Sequence, residues 1–250
     1  MTGHLSVVGL GPGAAEMQTP QAAAALAAAT DLVGYGPYLQ RVAARPDQVR
    51  HGSDNREELA RARHALMLAA AGRRVAIVSS GDAGVFAMAS AVFEAIETGE
   101  PGWRRIEAEV VPGVSAMFAA ASRVGAPLGA DFCAISLSDN LKPWTVVTRR
   151  LRLAAEAGFA IALYNPLSRA RPWQLGAAFE LLRSLLPPET PVIFATAVSR
   201  PEERIDVATL AEADPARADM RTLVLVGTPS WRRIERGGQR PWIYAPRSMR

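Results

Sequence analysis

Short unbroken apolar runs alternate along this chain with longer stretches in which apolar residues recur every three or four positions. The first run, residues 4–10, reads as a strand. Residues 20–29 follow as a helix, with Thr19 as its N-cap and Pro20 at the first helical position, where a missing N–H costs nothing. Residues 31–34 read as a second strand and 56–71 as a helix capped by Asp54 or Asn55. Residues 75–79 form a compact apolar strand. Val85, Met88, Ala89, Val92 and Ile96 then recur at helical spacing. Residues 106–111 return to strand, and 114–124 read as a helix of small residues.

The second half repeats this style. Residues 132–137, 159–164, 192–197 and 222–226 are apolar runs. Between two of them, Leu175, Ala178, Phe179, Leu182 and Leu185 line one face of a helix over 174–186. Pro187, Pro188 and Pro191 end that helix, because proline cannot continue it. Residues 204–207 read as an extra antiparallel strand. Strands alternating with helices predict an α/β protein. Gly125-Ala126-Pro127-Leu128-Gly129 reads as a linker, which divides the chain into α/β domains 1–124 and 125–250.

Composition narrows the class. The chain has 250 residues, 49% of them hydrophobic, enough for one large core or two small ones. No apolar run reaches the roughly eighteen residues of a membrane span, and the N-terminus lacks a signal-peptide pattern. Cys133 is the only cysteine, so no internal disulfide forms. These points place the protein in the cytoplasm, with no membrane partner. Of 28 basic residues only Lys142 is lysine, and the formal net charge is +4. A GC-rich codon bias accounts for most of the arginines, and carboxylate recognition, which suits their planar fork, for a few. Nucleic acid is not an expected partner, since the arginines are scattered among nearly as many acids.

Four turns carry candidate chemistry. Gly9-Leu10-Gly11-Pro12-Gly13 follows the first strand, either as a tight turn or as a ligand loop. It is not a dinucleotide fingerprint, because position 14 is alanine and Pro12 removes an amide that would hold phosphate. Ser79-Ser80-Gly81-Asp82-Ala83-Gly84 follows the strand at 75–79, where open sheets bind ligands. Asp82 there accepts hydrogen bonds from a ligand, caps the helix that follows, or does both. Val111-Pro112-Gly113-Val114-Ser115-Ala116 repeats the plan of strand, turn and helix. Leu163-Tyr164-Asn165-Pro166 closes a buried strand, with Asn165 as a turn former or a ligand contact. His4, His51 and His64 are far apart and beside no acidic cluster, so each reads as a surface or packing residue, and no metal site is expected.

In this order the four turns resemble those of the tetrapyrrole methylase family. One departure is Ala83, where much of the family has proline. Finer segments resemble the branch that methylates C17 of a corrin precursor and contracts its ring: Val33-Gly34-Tyr35-Gly36-Pro37-Tyr38-Leu39, Ile135-Ser136-Leu137-Ser138-Asp139, Lys142-Pro143-Trp144, Leu163-Tyr164-Asn165-Pro166-Leu167-Ser168 with Arg171, and Met220-Arg221-Thr222-Leu223-Val224. The resemblance implies two α/β domains with a ligand cleft between them, usually in a homodimer. It implies S-adenosyl-L-methionine as methyl donor, S-adenosyl-L-homocysteine as product and a polycarboxylate tetrapyrrole as substrate. Donor contacts carried over by motif are Gly11, Pro12, Ser80, Gly81, Asp82, Val85, Ser115, Ala116, Asn165, Ala197 and Thr222. Asp139, Asp82, Ser115 and Tyr164 are candidates for proton transfer during ring contraction. Arg41, Arg149, Arg150 and Arg171 are candidates for pairing with substrate carboxylates. Methylation of another corrin carbon or of uroporphyrinogen III stays open within the family. A nucleotide-binding protein such as a dehydrogenase is disfavoured by Pro12, and a non-catalytic module by four ligand-type turns.

Overall fold

The computed structural model describes residues 3–54 and 57–248, and the chain divides into two compact units between Ser115 and Ala116. The first unit is a five-stranded, wholly parallel sheet. Its elements are β1 (His4–Gly9), α1 (Pro20–Ala28), β2 (Asp31–Tyr35), the short α2 (Gly36–Leu39), β3 (Val49–Ser53), α3 (Glu58–Ala70), β4 (Arg74–Ser79), α4 (Met88–Thr98) and β5 (Glu107–Val111). The strand order is β3-β2-β4-β1-β5. Helices cover both faces, which is why the central strands are apolar throughout rather than alternating. Leu5, Val7, Val33, Val75 and Ile77 pack against Ala62, Ala65, Leu66 and Ala69 of α3 and Met88, Ala89, Val92 and Ala95 of α4. Val8, Leu32, Ala76 and Val78 face Ala22 and Leu26 of α1 and Leu39 of α2. Burying each such leucine or isoleucine contributes roughly 1.5–3 kcal/mol.

Thr19 caps α1 as its sequence predicts, accepting from the amide of Ala22 at 3.1 Å. The N-terminus of α3 differs from expectation. Its N-cap is Glu57, not Asp54, while Asn55 and Arg56 lie outside the described residues. Helix α4 also starts later than its periodicity predicts. Phe86 has a φ of +50°, so Val85 belongs to the turn and the helix begins at Met88.

The second unit comprises α5 (Ala116–Ser122), β6 (Gly125–Ala126), β7 (Phe132–Ser136), α6 (Trp144–Glu156), β8 (Ala160–Tyr164), α7 (Gln174–Arg183), β9 (Pro191–Thr196), β10 (Arg204–Thr209), β11 (Thr222–Val226), β12 (Arg232–Arg236) and β13 (Gln239–Tyr244). Helix α5, read from sequence as the close of the first domain, is grouped here because it packs on β11 and β6. The main sheet is mixed, in the order β10-β9-β11-β8-β7. Only β7 and β8 run parallel; β8–β11, β11–β9 and β9–β10 are antiparallel. Helices α6 and α7 bury Val147, Leu151, Leu175, Phe179 and Leu182 over it. A hairpin, β12–β13, adds the short β6 to form a second, three-stranded sheet. Among the described residues no helix is long and apolar enough to cross a membrane.

Candidate functional site

In the first unit β1 and β4 are neighbours, yet their connections leave to opposite faces, toward α1 and α4 respectively. Such a switch point leaves a crevice at the carboxyl ends of the strands. The loops after β1, β4 and β5 meet there. Gly11 and Gly81 exchange hydrogen bonds, with Gly11 N donating to Gly81 O at 3.1 Å and Gly81 N to Gly11 O at 2.9 Å. Both have positive φ, +71° and +67°, a conformation that strains residues bearing a Cβ. A Cβ on Gly113 would stand 2.3 Å from Gly81 O and 2.7 Å from Gly9 O. The three loops therefore touch backbone to backbone, and only glycine allows it.

Asp82 ties the same loops. Its Oδ1 accepts from the amide of Gly84 at 2.8 Å and its Oδ2 from that of Gly113 at 3.0 Å. It does not cap α4, whose N-cap is Ala87. Arg41, singled out in the sequence for substrate carboxylates, is turned to the loops instead. Its guanidinium donates to Ser80 Oγ at 3.0 Å and to the carbonyls of Leu10 and Gly11 at 3.1 and 2.7 Å. Pro12 and Ser115 are buried, while Ser80, Asp82 and Val85 are partly exposed. The structure thus brings Gly11, Ser80, Gly81 and Asp82 together. The loops offer backbone and small residues, and Pro12 carries no amide. Arg41 is engaged by carbonyls, so this set suits a nucleoside without phosphate.

In the second unit Asn165 follows β8 with a φ of +51°. Its Nδ2 donates to Ser136 Oγ at the end of β7, at 2.9 Å, and its carbonyl accepts from Arg171 Nη1 at 3.1 Å. Ala197, also at positive φ, follows β9, and its amide donates to Arg221 O at 3.0 Å. Thr222 opens β11 and shares a 2.8 Å hydroxyl hydrogen bond with Thr196. The register that pairs Val224 with Leu163 runs Thr222 toward Asn165. Asn165, Ala197 and Thr222 therefore share one end of this sheet. Ala116 is the first residue of α5.

The remaining candidates fall as follows. Asp139 accepts from Gln174 Nε2 at 3.1 and 3.2 Å. The hydroxyl of Tyr164 accepts from the amide of Met117 at 3.3 Å. Lys142 donates to the carbonyls of Ser136 and Ser138 at 2.9 and 3.2 Å. Burial pushes its pKa down, nearby Arg150 adds to that, and Asp139 opposes it. Arg149 and Arg150 are exposed on α6.

Two histidines depart from the sequence reading. His51 on β3 and His64 on α3 come together, Nδ1 to Nε2, at 3.1 Å. Behind them, His51 Nε2 donates to Oδ1 of Asp31 at 2.9 Å. Asp31, on β2, is 2% exposed. The pairing depends on strand register and helix packing, for which spacing along the chain carries no signal. Among the described residues no group of three or more His, Cys, Asp and Glu side chains is placed to hold a metal ion.

Residues 4–214 match the family model of the tetrapyrrole (corrin/porphyrin) methylases. The chain is 64% identical over 247 residues to a precorrin-3B C(17)-methyltransferase of a Sinorhizobium species, covering 99% of this chain and 97% of that protein. It superposes on the crystal structure of the methyltransferase CobJ with a TM-score of 0.93 and 53% identity, covering 98% of this chain and all of that one. A uroporphyrin-III C-methyltransferase from Thermus thermophilus, solved with S-adenosyl homocysteine, superposes with a TM-score of 0.67 and 26% identity, covering 90% of this chain and 92% of that one.

Proposed function

The chain belongs to the tetrapyrrole methylase family, and from that premise we propose that it methylates C17 of precorrin-3B and contracts the ring to precorrin-4 in cobalamin biosynthesis. The likeness to the Sinorhizobium enzyme along nearly its whole length supports the substrate. The observation that carries the donor site is the glycine-laced junction of the loops after β1, β4 and β5, which has no fixed phosphate-binding set.

S-adenosyl-L-methionine, when bound, supplies an activated sulfonium methyl group and leaves as S-adenosyl-L-homocysteine. The work left to the protein is alignment in a dry site, which can lower a barrier by roughly 7–11 kcal/mol. In the first unit Gly11, Pro12, Ser80, Gly81, Asp82, Val85 and Ser115 are the proposed donor contacts. The paired glycine backbones fix their positions, and Arg41 holds the carbonyl side of the first loop. For the second unit the proposed contacts are Ala116, Asn165, Ala197 and Thr222, the last three held by the bonds described above. Both oxygens of Asp82 accept from loop amides, so its proposed role is to hold the loops. Ser115, Asp139 and Tyr164 are left as the proposed proton carriers for ring contraction. A homodimer in the cytoplasm is the proposed working form.

The test is product analysis. Purified protein, precorrin-3B and donor labelled with 13C in the methyl group are expected to give a ring-contracted product with label on C17 by NMR. Label on another corrin carbon, or turnover of uroporphyrinogen III alone, would move the assignment within the family. No transfer to any tetrapyrrole would end it.

A further inference from the structure

The first unit holds a cavity of about 430 Å³ away from the glycine junction, between β3 and α3, lined by Arg50, His51, Ser53, Glu57, Arg61 and His64 among others. Its wall carries a buried cation. Arg61 is 5% exposed, yet its hydrogen-bond partners are all neutral: Ser53 Oγ at 2.7 Å, the Asp54 carbonyl at 2.6 Å and the Met88 sulfur at 3.4 Å. A thioether is a weak acceptor, so the Nη1 end of a buried guanidinium has poor compensation, which is costly without a counter-ion. Beside it His51 and His64 form a dyad. Asp31 accepts from His51 Nε2, which leaves His51 Nδ1 to accept from His64 Nε2. With Nε2 of His64 donating to His51, a protonated His64 would carry a further N–H donor at Nδ1. Arg50 adds charge, although its guanidinium donates to the Leu39, Val42 and Ala43 carbonyls. Among the described residues Glu57 is the one acid of the lining. It is exposed at the rim, and its Oε2 accepts from the amide of Asp54 at 3.1 Å.

We propose that this cavity is a carboxylate-binding site, in which Arg61 and the His51–His64 dyad receive one carboxylate group of a ligand. One buried guanidinium matches one negative charge. A phosphate dianion would bring a second charge beside Glu57 and is disfavoured. The carboxylate is either an acetate or propionate arm of the tetrapyrrole or belongs to a small free acid. Naming the tetrapyrrole rests on the function proposed above; the carboxylate chemistry does not.

The experiment follows the 15N ring signals of His51 and His64 in the full chain during titration with tricarballylate, with inorganic phosphate and with uroporphyrin I, a stable octacarboxylate. Tricarballylate is expected to move both histidines to saturation. Phosphate is expected to bind at least tenfold more weakly. His64→Phe, read at His51, and Arg61→Lys are each expected to weaken tricarballylate at least tenfold. Movement by uroporphyrin I as well assigns the site to a substrate arm, and movement by tricarballylate alone assigns it to a free acid. The proposal is overturned if no carboxylate shifts either ring in the wild type, whether or not the variants fold, or if folded Arg61→Lys binds as tightly as wild type. Methyl transfer to precorrin-3B, measured separately, reports on the proposed function independently of either result.

Discussion

The amide of Gly113 donates to Oδ2 of Asp82 at 3.0 Å, joining the loop after β5 to the loop after β4. The other oxygen accepts from Gly84. Both partners are N–H donors, so the side chain must accept at both positions. Asparagine cannot, because its amide nitrogen would face an N–H. Hydrogen bonds to a charged group contribute about 1.5–3 kcal/mol, discounted here for a partly exposed side chain. Asp82→Asn and Asp82→Ala should therefore behave alike. Each should lose about 1–2 kcal/mol in urea unfolding and bind S-adenosyl-L-homocysteine at least tenfold more weakly by calorimetry. An Asp82→Asn protein indistinguishable from wild type would show that the tie does not hold the junction.

The glycines of the junction are not equivalent. A Cβ on Gly113 would stand 2.3 Å from a backbone oxygen, and backbone cannot swing away. A Cβ on Gly84 would meet only Asp82 Oδ1, at 3.2 Å, and that side chain can yield slightly. Overpacking typically costs about 1–3 kcal/mol. Gly113→Ala should fall at or above the top of that range and abolish donor binding, whereas Gly84→Ala should be nearly neutral. Gly81→Val, which adds bulk at a φ of +67°, should also abolish donor binding. Thermal unfolding and calorimetry on the three proteins check this ordering. Equal effects at 84 and 113 would mean that close approach is not what selects glycine.

The central strands of the two main sheets were legible in the sequence because they are buried on both faces. The runs of β1, β4, β8 and β11 are apolar and bounded by glycine or proline. Thr19 and Pro20 mark a helix start by local chemistry alone. Polar or disguised elements were not legible. Strand β3, Val49–Ser53, lies at the sheet edge and fully buries none of its residues, so it has no apolar run. Helix α6 opens with Thr145, Val146, Val147 and Thr148, a β-branched stretch that masks the spacing of Val147, Leu151 and Ala155. The hairpin of β12 and β13 turns on Gly237 and Gly238, both at positive φ, between strands rich in exposed arginine. The role of Arg41 and the meeting of Asp31, His51 and His64 arise from tertiary packing, which a single sequence does not encode in its spacing.

The buried Asp31 carboxylate should give the first unit a distinct acid limb. Burial by itself raises its pKa. Hydrogen bonds from Arg73, Thr30 and His51 overcome that, and with the charge of Arg73 they hold the carboxyl below the ordinary carboxylate range. A folded-state pKa below the unfolded one means that the unfolded chain binds the proton more readily. The stabilisation is then complete above the unfolded value of about 3.9 and disappears as pH falls through the lower folded value. Asp31→Asn keeps the shape but loses the charge and puts an amide nitrogen toward either Nε2 of His51 or Nε of Arg73, both donors in the wild type. At pH 7 it should unfold about 1–3 kcal/mol more easily. Urea midpoints measured from pH 7 to pH 2 should stay apart down to about pH 3.9 and converge only below it, as Asp31 becomes protonated. A gap that stays constant to the lowest pH would mean that Asp31 acts through packing and not through its charge.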